Sequence, residues 1–198
     1  MIAIPKDILP NFSHPLLLTD FLMSTLDDSP DLELQVYALK GLFLLLQKHG
    51  LDCPKYYTKL YGLLQAQGTK SIFNMDLDTK SRFLRLLDLS LRASTLPSKL
   101  IASFMKRVCR QCCNGVVTIP NDVLFCVSLV SNLMKRHPRT LRLVTRHTNS
   151  LSLGLKLHDD PFQAHEADPL KTKAFRSSLW EIEIMLKQHT DTRIRDFC

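Results

Sequence analysis

Leucine-rich segments at helical spacing, separated by prolines and short polar turns, make up most of this sequence. The apolar runs are longer than ordinary β-strands, and the prolines lie mostly between them. In residues 54–65, apolar side chains recur at i, i+3, i+4 and i+7, the positions of one helix face: Tyr57, Leu60, Tyr61 and Leu64. The pattern predicts an all-α chain.

Several helix boundaries carry their own signals in the sequence. Asp31 is suited to cap a helix over residues 32–49, and Gly50 is suited to end that helix in the left-handed conformation. Pro120 is typical of a first helical turn and predicts a helix to residue 136. These signals leave little sequence for connecting loops.

Helices of about 12–20 residues joined by short turns predict antiparallel helical pairs stacked as a HEAT/armadillo-like α-solenoid. A compact irregular bundle is the alternative, because the sequence has no clean repeat period. We treat residues 1–198 as a single helical domain. No segment approaches the ~20 apolar residues that span a bilayer, and the first residues do not resemble a secretory signal.

Catalytic and metal-binding motifs do not occur in this sequence. There is no GxGxxG, GxxxxGK[ST], GxSxG or HExxH, so the usual parts of nucleotide, hydrolase and zinc-protease sites are missing. Cys109 and Cys112 form a CxxC, but a structural zinc site needs a second pair, and both lie in a helical pattern. We interpret them as reduced, buried thiols. The sequence predicts no enzyme, cofactor, metal or small-molecule substrate.

Positive charge is concentrated in the middle third of the chain. Residues 79–146 hold 13 basic and 2 acidic residues, whereas residues 1–78 hold 6 and 9 and residues 147–198 hold 7 and 8. Such a region between mildly acidic flanks indicates a polyanion or an acidic protein surface as partner.

Candidate contact residues for RNA or an acidic partner lie on two amphipathic helices and on a helix-proline-helix corner. The two helices, residues 80–94 and 98–113, are predicted to turn their basic side chains outward, away from their apolar stripes. In the second helix the apolar stripe is Ile101, Phe104, Met105 and Val108, and the outward basic residues are Lys99, Lys106, Arg107 and Arg110. The corner, residues 133–147, is called the basic corner below; an ordinary solvated surface is the alternative there. The candidates are Arg82, Arg85, Arg92, Lys106, Arg107, Lys135, Arg136, Arg139, Arg142 and Arg146.

Residues 160–184, DPFQAHEADPLKTKAFRSSLWEIEI, contain the one tryptophan of the chain. Asp168 as N-cap and Pro169 at the first helical position predict a helix start. The predicted core stripe of that helix is Phe175, Leu179, Ile182 and Leu186.

Trp180 is predicted to project to the side of that stripe. It either packs against the Pro161-Phe162 loop or anchors a partner protein. Glu181 and Glu183 point apart on a helix, so they are interpreted as solvated charges rather than as an acid/base pair. The candidate structural or partner anchors are Asp160, Pro161, Phe162, Trp180, Glu181 and Glu183.

Five runs, in this order and at these intervals, resemble the C-terminal domain of the nucleolar complex protein 4 family, within the CCAAT-binding-factor/Mak21 group. The runs are YYTKLYGLL (56–64), RFLRLLDLSLRASTLPSKLIASFMKRV (82–108), SNLMKRHP (131–138), DPF (160–162) and SSLWEIE (177–183). The resemblance covers residues 10–190. Family members also carry a long N-terminal helical region that this sequence does not contain.

The resemblance implies a nuclear, nucleolar and non-enzymatic assembly factor for ribosome biogenesis. Its implied work is pre-rRNA processing, maturation and export of the small (40S) ribosomal subunit. The implied partners are nucleolar protein fourteen, the pre-ribosomal small-subunit particle and, by direct contact, pre-rRNA. The group name alone suggests the alternative of a transcription-linked nuclear factor, but no base-reading recognition helix is identifiable.

Overall fold

The computed structural model describes residues 15–65, 71–145, 160–188 and 191–197, which form helices and turns without a β-strand. The predicted all-α class is confirmed. None of the helices in these ranges combines the length and apolar character that a membrane span requires. In chain order the described α-helices are α1 (Thr19–Asp28), α2 (Leu32–His49), α3 (Tyr56–Leu63), α4 (Leu77–Ser90), α5 (Ser98–Cys113), α6 (Pro120–Arg136), α7 (Arg142–Thr145), α8 (Trp180–Gln188) and α9 (Thr192–Phe197).

The chain divides into two compact units, the first containing α1 to α4 and the second α5 to α9. In the first unit α1 packs on α2, and Leu22 of α1 is fully buried. A Cβ at Gly41 of α2 would lie only 3.0 Å from the Leu22 side chain, so glycine permits this close approach. Solenoid stacking and the single-domain organisation stay predictions.

The predicted ends of α2 are confirmed. The Asp31 side chain accepts a hydrogen bond from the Glu33 backbone N–H at 2.9 Å, as an N-cap does. Gly50 ends the helix with φ +63°, the left-handed conformation that glycine adopts at low cost. Local sequence is sufficient to determine both ends.

In the second unit α5 is the central element. It packs on α6, on a 3₁₀ helix at Ala174–Arg176 and on α8. The predicted inward face of α5 is buried as expected: Ile101, Phe104, Met105 and Val108. On the predicted outward face Lys99 is exposed, but Lys106, Arg107 and Arg110 are not on a free surface, because residues 160–181 contact them. This arrangement forms the site described next.

Candidate functional site

One face of α5 carries four polar side chains at i, i+3, i+4 and i+7, here called the polar stripe: Ser103, Lys106, Arg107 and Arg110. Helical spacing places them in a row along the helix. Each makes hydrogen bonds with residues 160–181, here called the covering segment. The polar stripe therefore binds another part of the same chain.

Lys106 lies at the centre of the polar stripe with 1% of its surface exposed. Its Nζ lies 2.6 Å from the Ser178 carbonyl oxygen, 2.9 Å from Asp160 Oδ2 and 2.8 Å from Glu181 Oε1. An ammonium group has three N–H donors, and three partner residues accept them. The ammonium also lies 4.8 Å from the centroid of the Trp180 ring, within range of a cation–π contact.

Arg110 and Asp160, together with Lys106 and Glu181, form a group of four charged side chains, here called the charged cluster. Arg110 Nη2 donates to Asp160 Oδ2 at 2.7 Å, and Arg110 Nε donates to Glu181 Oε1 at 3.1 Å. The other carboxylate oxygen, Asp160 Oδ1, accepts from Ser177 Oγ at 2.5 Å and from the Phe162 backbone N–H at 3.0 Å. Two cations thus face two carboxylates.

The two carboxylates of the cluster have pKa values shifted in opposite directions. Burial acts to raise the pKa of Asp160, but hydrogen bonds from Ser177 and Trp180 and the charge of Lys106 outweigh it, so this pKa lies below its usual range. Burial raises the pKa of Glu181, which Lys106 and Arg110 only partly offset. Asp160 is accordingly the more firmly ionised of the pair.

The remaining two members of the polar stripe bind the backbone of the covering segment. Arg107 Nη2 donates to the carbonyl oxygens of Ala164 at 2.9 Å and Glu166 at 3.0 Å. Ser103 Oγ is hydrogen-bonded to the Pro169 carbonyl oxygen and lies 2.6 Å from Thr172 Oγ1. Along its length, the segment is positioned by side chains of α5.

Trp180 begins α8 and is hydrogen-bonded within the cluster. Its Nε1–H donates to Asp160 Oδ2 at 2.8 Å. The Arg110 guanidinium lies 4.8 Å from the Phe162 ring centroid and 5.6 Å from that of Trp180. These contacts link Trp180 to the loop that carries Phe162, and Pro161 lies between Asp160 and Phe162 in that loop. A role of Trp180 as partner anchor stays a prediction.

Three orientation predictions are wrong. Lys106 and Arg107 do not face outward, because the covering segment supplies acceptors that compensate for their burial. Glu181 is not a solvated charge but 0% exposed and paired with Lys106. Glu183, by contrast, is partly exposed and pairs with Lys187 at 2.6 Å on the surface of α8.

The predicted helix start at Asp168 and Pro169 is also wrong. The Asp168 side chain accepts from the Leu170 N–H at 2.9 Å, but turns and the short 3₁₀ helix follow, and the α-helix begins at Trp180. Lys173 has φ +59°, which a helix cannot accommodate. The predicted core stripe is consequently wrong in part, since Leu179 is buried but Leu186 is exposed.

The other candidate contact residues stay on or near the surface. Lys135, Arg139 and Arg142 are exposed, and Arg136 is partly buried. Arg85 and Arg92 are exposed on α4 and just after it, whereas Arg82 pairs with Asp78 and lies over the Tyr37 ring at 4.9 Å. Arg146 lies outside the described residues. Their contacts with RNA or protein stay predictions.

The candidate residues chosen from the sequence left out several side chains or backbone groups of the contact between α5 and the covering segment: Ser103, Arg110, Thr172, Ser177 and Ser178. The available signal was the polar spacing i, i+3, i+4, i+7 on α5, together with one acidic residue in the run DPF and two in SSLWEIE. Basic and acidic groups at such positions could have been predicted to pair. Only the tertiary structure identifies which carboxylates do so.

Two cysteines of α5, Cys109 and Cys113, lie beside Glu181, and Cys112 lies beside Cys126 of α6. Burial raises the pKa of Cys109 well above its usual value, and a hydrogen bond with Cys126 together with burial does the same for Cys112. Thiols of this kind stay protonated at neutral pH. No group of three or more potential metal ligands occurs in the described ranges of the chain.

Comparison with known proteins gives a consistent set of relatives. The chain is 38% identical over 189 residues to the nucleolar complex protein 4 homologues of Mus musculus and Rattus norvegicus, and 36% identical to that of Homo sapiens. Each match covers 96% of this chain and 33% or 34% of the relative. The chain therefore spans about a third of the length of these relatives, whose names agree with the predicted nuclear, nucleolar localisation.

The residues that match the family include both sides of the contact between α5 and the covering segment. The CBF/Mak21 family matches residues 35–198, a range that contains the polar stripe of α5 and the covering segment. By that match, and by the identity to these relatives over nearly its whole length, the chain belongs to the CBF/Mak21 family.

Proposed function

We propose that this chain is the helical interaction scaffold of a nucleolar ribosome-assembly factor. The observation that carries the proposal is the identity of 36–38% to nucleolar complex protein 4 homologues over 96% of the chain. The proposed work is non-enzymatic and concerns pre-rRNA processing, maturation and export of the small (40S) ribosomal subunit. The proposed partners are nucleolar protein fourteen and the small-subunit precursor particle.

The charged cluster supports a scaffold rather than a catalyst. Each N–H of Lys106 is directed at an acceptor of the same chain, and Asp160 accepts from five donor groups. A general base or nucleophile needs a free position toward a substrate, which this arrangement does not leave. Its effect is to fix the covering segment on α5.

The basic corner supports a partner-binding surface in the second unit. Lys135 and Arg139 are exposed, and no carboxylate among the described residues pairs with either. Exposed, unneutralised charges of one sign attract a partner of the opposite sign and accelerate its binding. We propose that pre-rRNA or an acidic protein segment binds there.

Sedimentation of the tagged chain with pre-ribosomal particles tests this function. Co-sedimentation with small-subunit precursors is expected, and it should fall in the variant K135E/R139E. The matched control is K48E/K55E, which reverses two exposed lysines of the first unit. A chain that instead fractionates with chromatin and is absent from pre-ribosomal particles would contradict the proposal and favour the transcription-linked alternative.

A further inference from the structure

The basic corner also exposes apolar side chains. Leu141 is 48% exposed and Val144 is 53% exposed. They are three residues apart, at the junction between the 3₁₀ helix Pro138–Leu141 and α7, so they lie on one side of this short helical stretch. Two exposed cations, Arg139 and Arg142, lie within two residues of these apolar side chains in sequence.

The neighbouring residues of the corner are anchored within the second unit. Leu143 is 1% exposed, and its carbonyl oxygen accepts from the Leu179 N–H at 2.9 Å. Thr140 is fully buried, and its Oγ1 donates to the His137 carbonyl oxygen at 2.7 Å. Because these residues fix the backbone, Leu141 and Val144 are presented to solvent by a supported element.

We infer that the described part of the basic corner, residues 133–145, binds an acidic amphipathic helix of a partner protein. Such a helix carries carboxylates and aliphatic side chains on one face, which complement the cations and the two exposed apolar side chains. The inference rests on the proposed function, which requires a partner. It deepens that function by specifying which class of partner binds at this corner.

The composition of the corner favours a protein over RNA. RNA phosphates gain nothing from Leu141 and Val144, whereas burial of these side chains by an apolar partner face is favourable. Proteins that bind single-stranded RNA typically stack its bases on exposed aromatic side chains. Among the described residues of and near the corner, the His137 ring is buried, and the Phe175 ring is covered by the Arg142 guanidinium at 4.6 Å.

Binding of defined probes to the full 198-residue chain tests the inference. The first probe is a synthetic 20-residue helix, of about 30 Å, with glutamate and leucine on one face. The second has the same composition in a scrambled order that separates the leucines. The third is an oligouridylate of matched charge. We expect the amphipathic helix to bind about tenfold more tightly than either other probe.

Two variants separate the contributions of charge and apolar contact. L141S/V144S should weaken binding of the amphipathic helix about tenfold, a difference of about 1.4 kcal/mol, and should leave the weak RNA binding unchanged. K135E/R139E should weaken both. The matched control for the apolar pair is L17S/L77S, which changes two exposed leucines of the first unit. Unchanged thermal unfolding of each variant verifies its fold.

Two results would overturn the inference. One is that the oligouridylate binds more tightly than the helix and loses affinity in K135E/R139E, which assigns the corner to RNA. The other is that the helix and its scrambled form bind equally. If either occurs while the chain still sediments with pre-ribosomal particles, the proposed function stands and only the partner chemistry fails. Specific helix binding without particle association would instead contradict the proposed function alone.

Discussion

At the scale of single residues, Lys106 determines how the cluster holds together. Burying an ammonium group is strongly unfavourable unless its charge and all its donors are compensated. Here two carboxylates and a carbonyl oxygen provide that compensation within 2.9 Å. Removing the lysine would leave two buried carboxylates sharing Arg110 as their remaining cation.

We therefore predict that Lys106→Met destabilises the chain by about 3 kcal/mol. The methionine fills similar volume, so the loss would report charge compensation rather than packing. Urea unfolding at pH 7 provides the measurement. Lys99→Met, at an exposed position of the same helix, is the control and should change stability by less than about 0.5 kcal/mol. Equal stability of the two variants would show that the carboxylates of the cluster do not need the charge of Lys106.

The low pKa of Asp160 leads to a prediction about acid. A carboxyl group with a folded-state pKa below its unfolded value of about 4 stabilises the fold above that value, and the contribution is lost as pH falls through the folded pKa. Asp160→Asn should be less stable than the wild type at pH 7, and the difference should shrink below pH ~4. A difference constant from pH 7 to 3 would contradict the assignment. Urea unfolding across that range measures it.

Trp180→Phe isolates one hydrogen bond. The substitution keeps an aromatic ring near Lys106 but removes the Nε1–H that donates to Asp160. A hydrogen bond to a buried charge contributes about 2 kcal/mol, so the free energy of unfolding of the isolated chain should fall by that amount. If stability were unchanged and only partner binding were lost, Trp180 would be a partner anchor instead.

At the scale of elements, local signals were sufficient where a helix end depends on its own sequence. The helix α2 begins after Asp31 and ends before Gly50 as predicted, because a side-chain cap and a left-handed glycine act within one turn. Asp168 carries the same kind of signal, yet no α-helix follows. The reason is tertiary: Ser103 binds the backbone carbonyl group of Pro169, which a helix beginning there would use internally.

Lys173 distinguishes the predicted helix from the observed turn. At φ +59°, glycine is favoured over alanine because it has no Cβ. Lys173→Gly should accordingly be more stable than Lys173→Ala, by about 1 kcal/mol. Inside a helix the order would be reversed by about the same amount. Thermal unfolding of both variants decides between the two, since each removes the same charge.

At the scale of the whole molecule, the basic middle of the sequence serves two different purposes. Part of it, at Lys106, Arg107 and Arg110, is directed inward and fixes the covering segment. Another part, at Lys135 and Arg139, is exposed. Composition correctly located the positive charge in residues 79–146. It could not show which basic side chains are buried, because their burial depends on acceptors 50 or more residues away in sequence.

Lysine acylation of the native chain, followed by mass spectrometry, tests most directly whether Lys106 of α5 is buried while other lysines of the basic middle are exposed. The account predicts that Lys99 and Lys135 are acetylated by an amine-reactive ester while Lys106 stays unmodified, and that Lys106 reacts once the chain is unfolded in urea. Modification of Lys106 in the native chain at the rate of Lys99 would contradict it, since the polar stripe of α5 would then be an open basic surface.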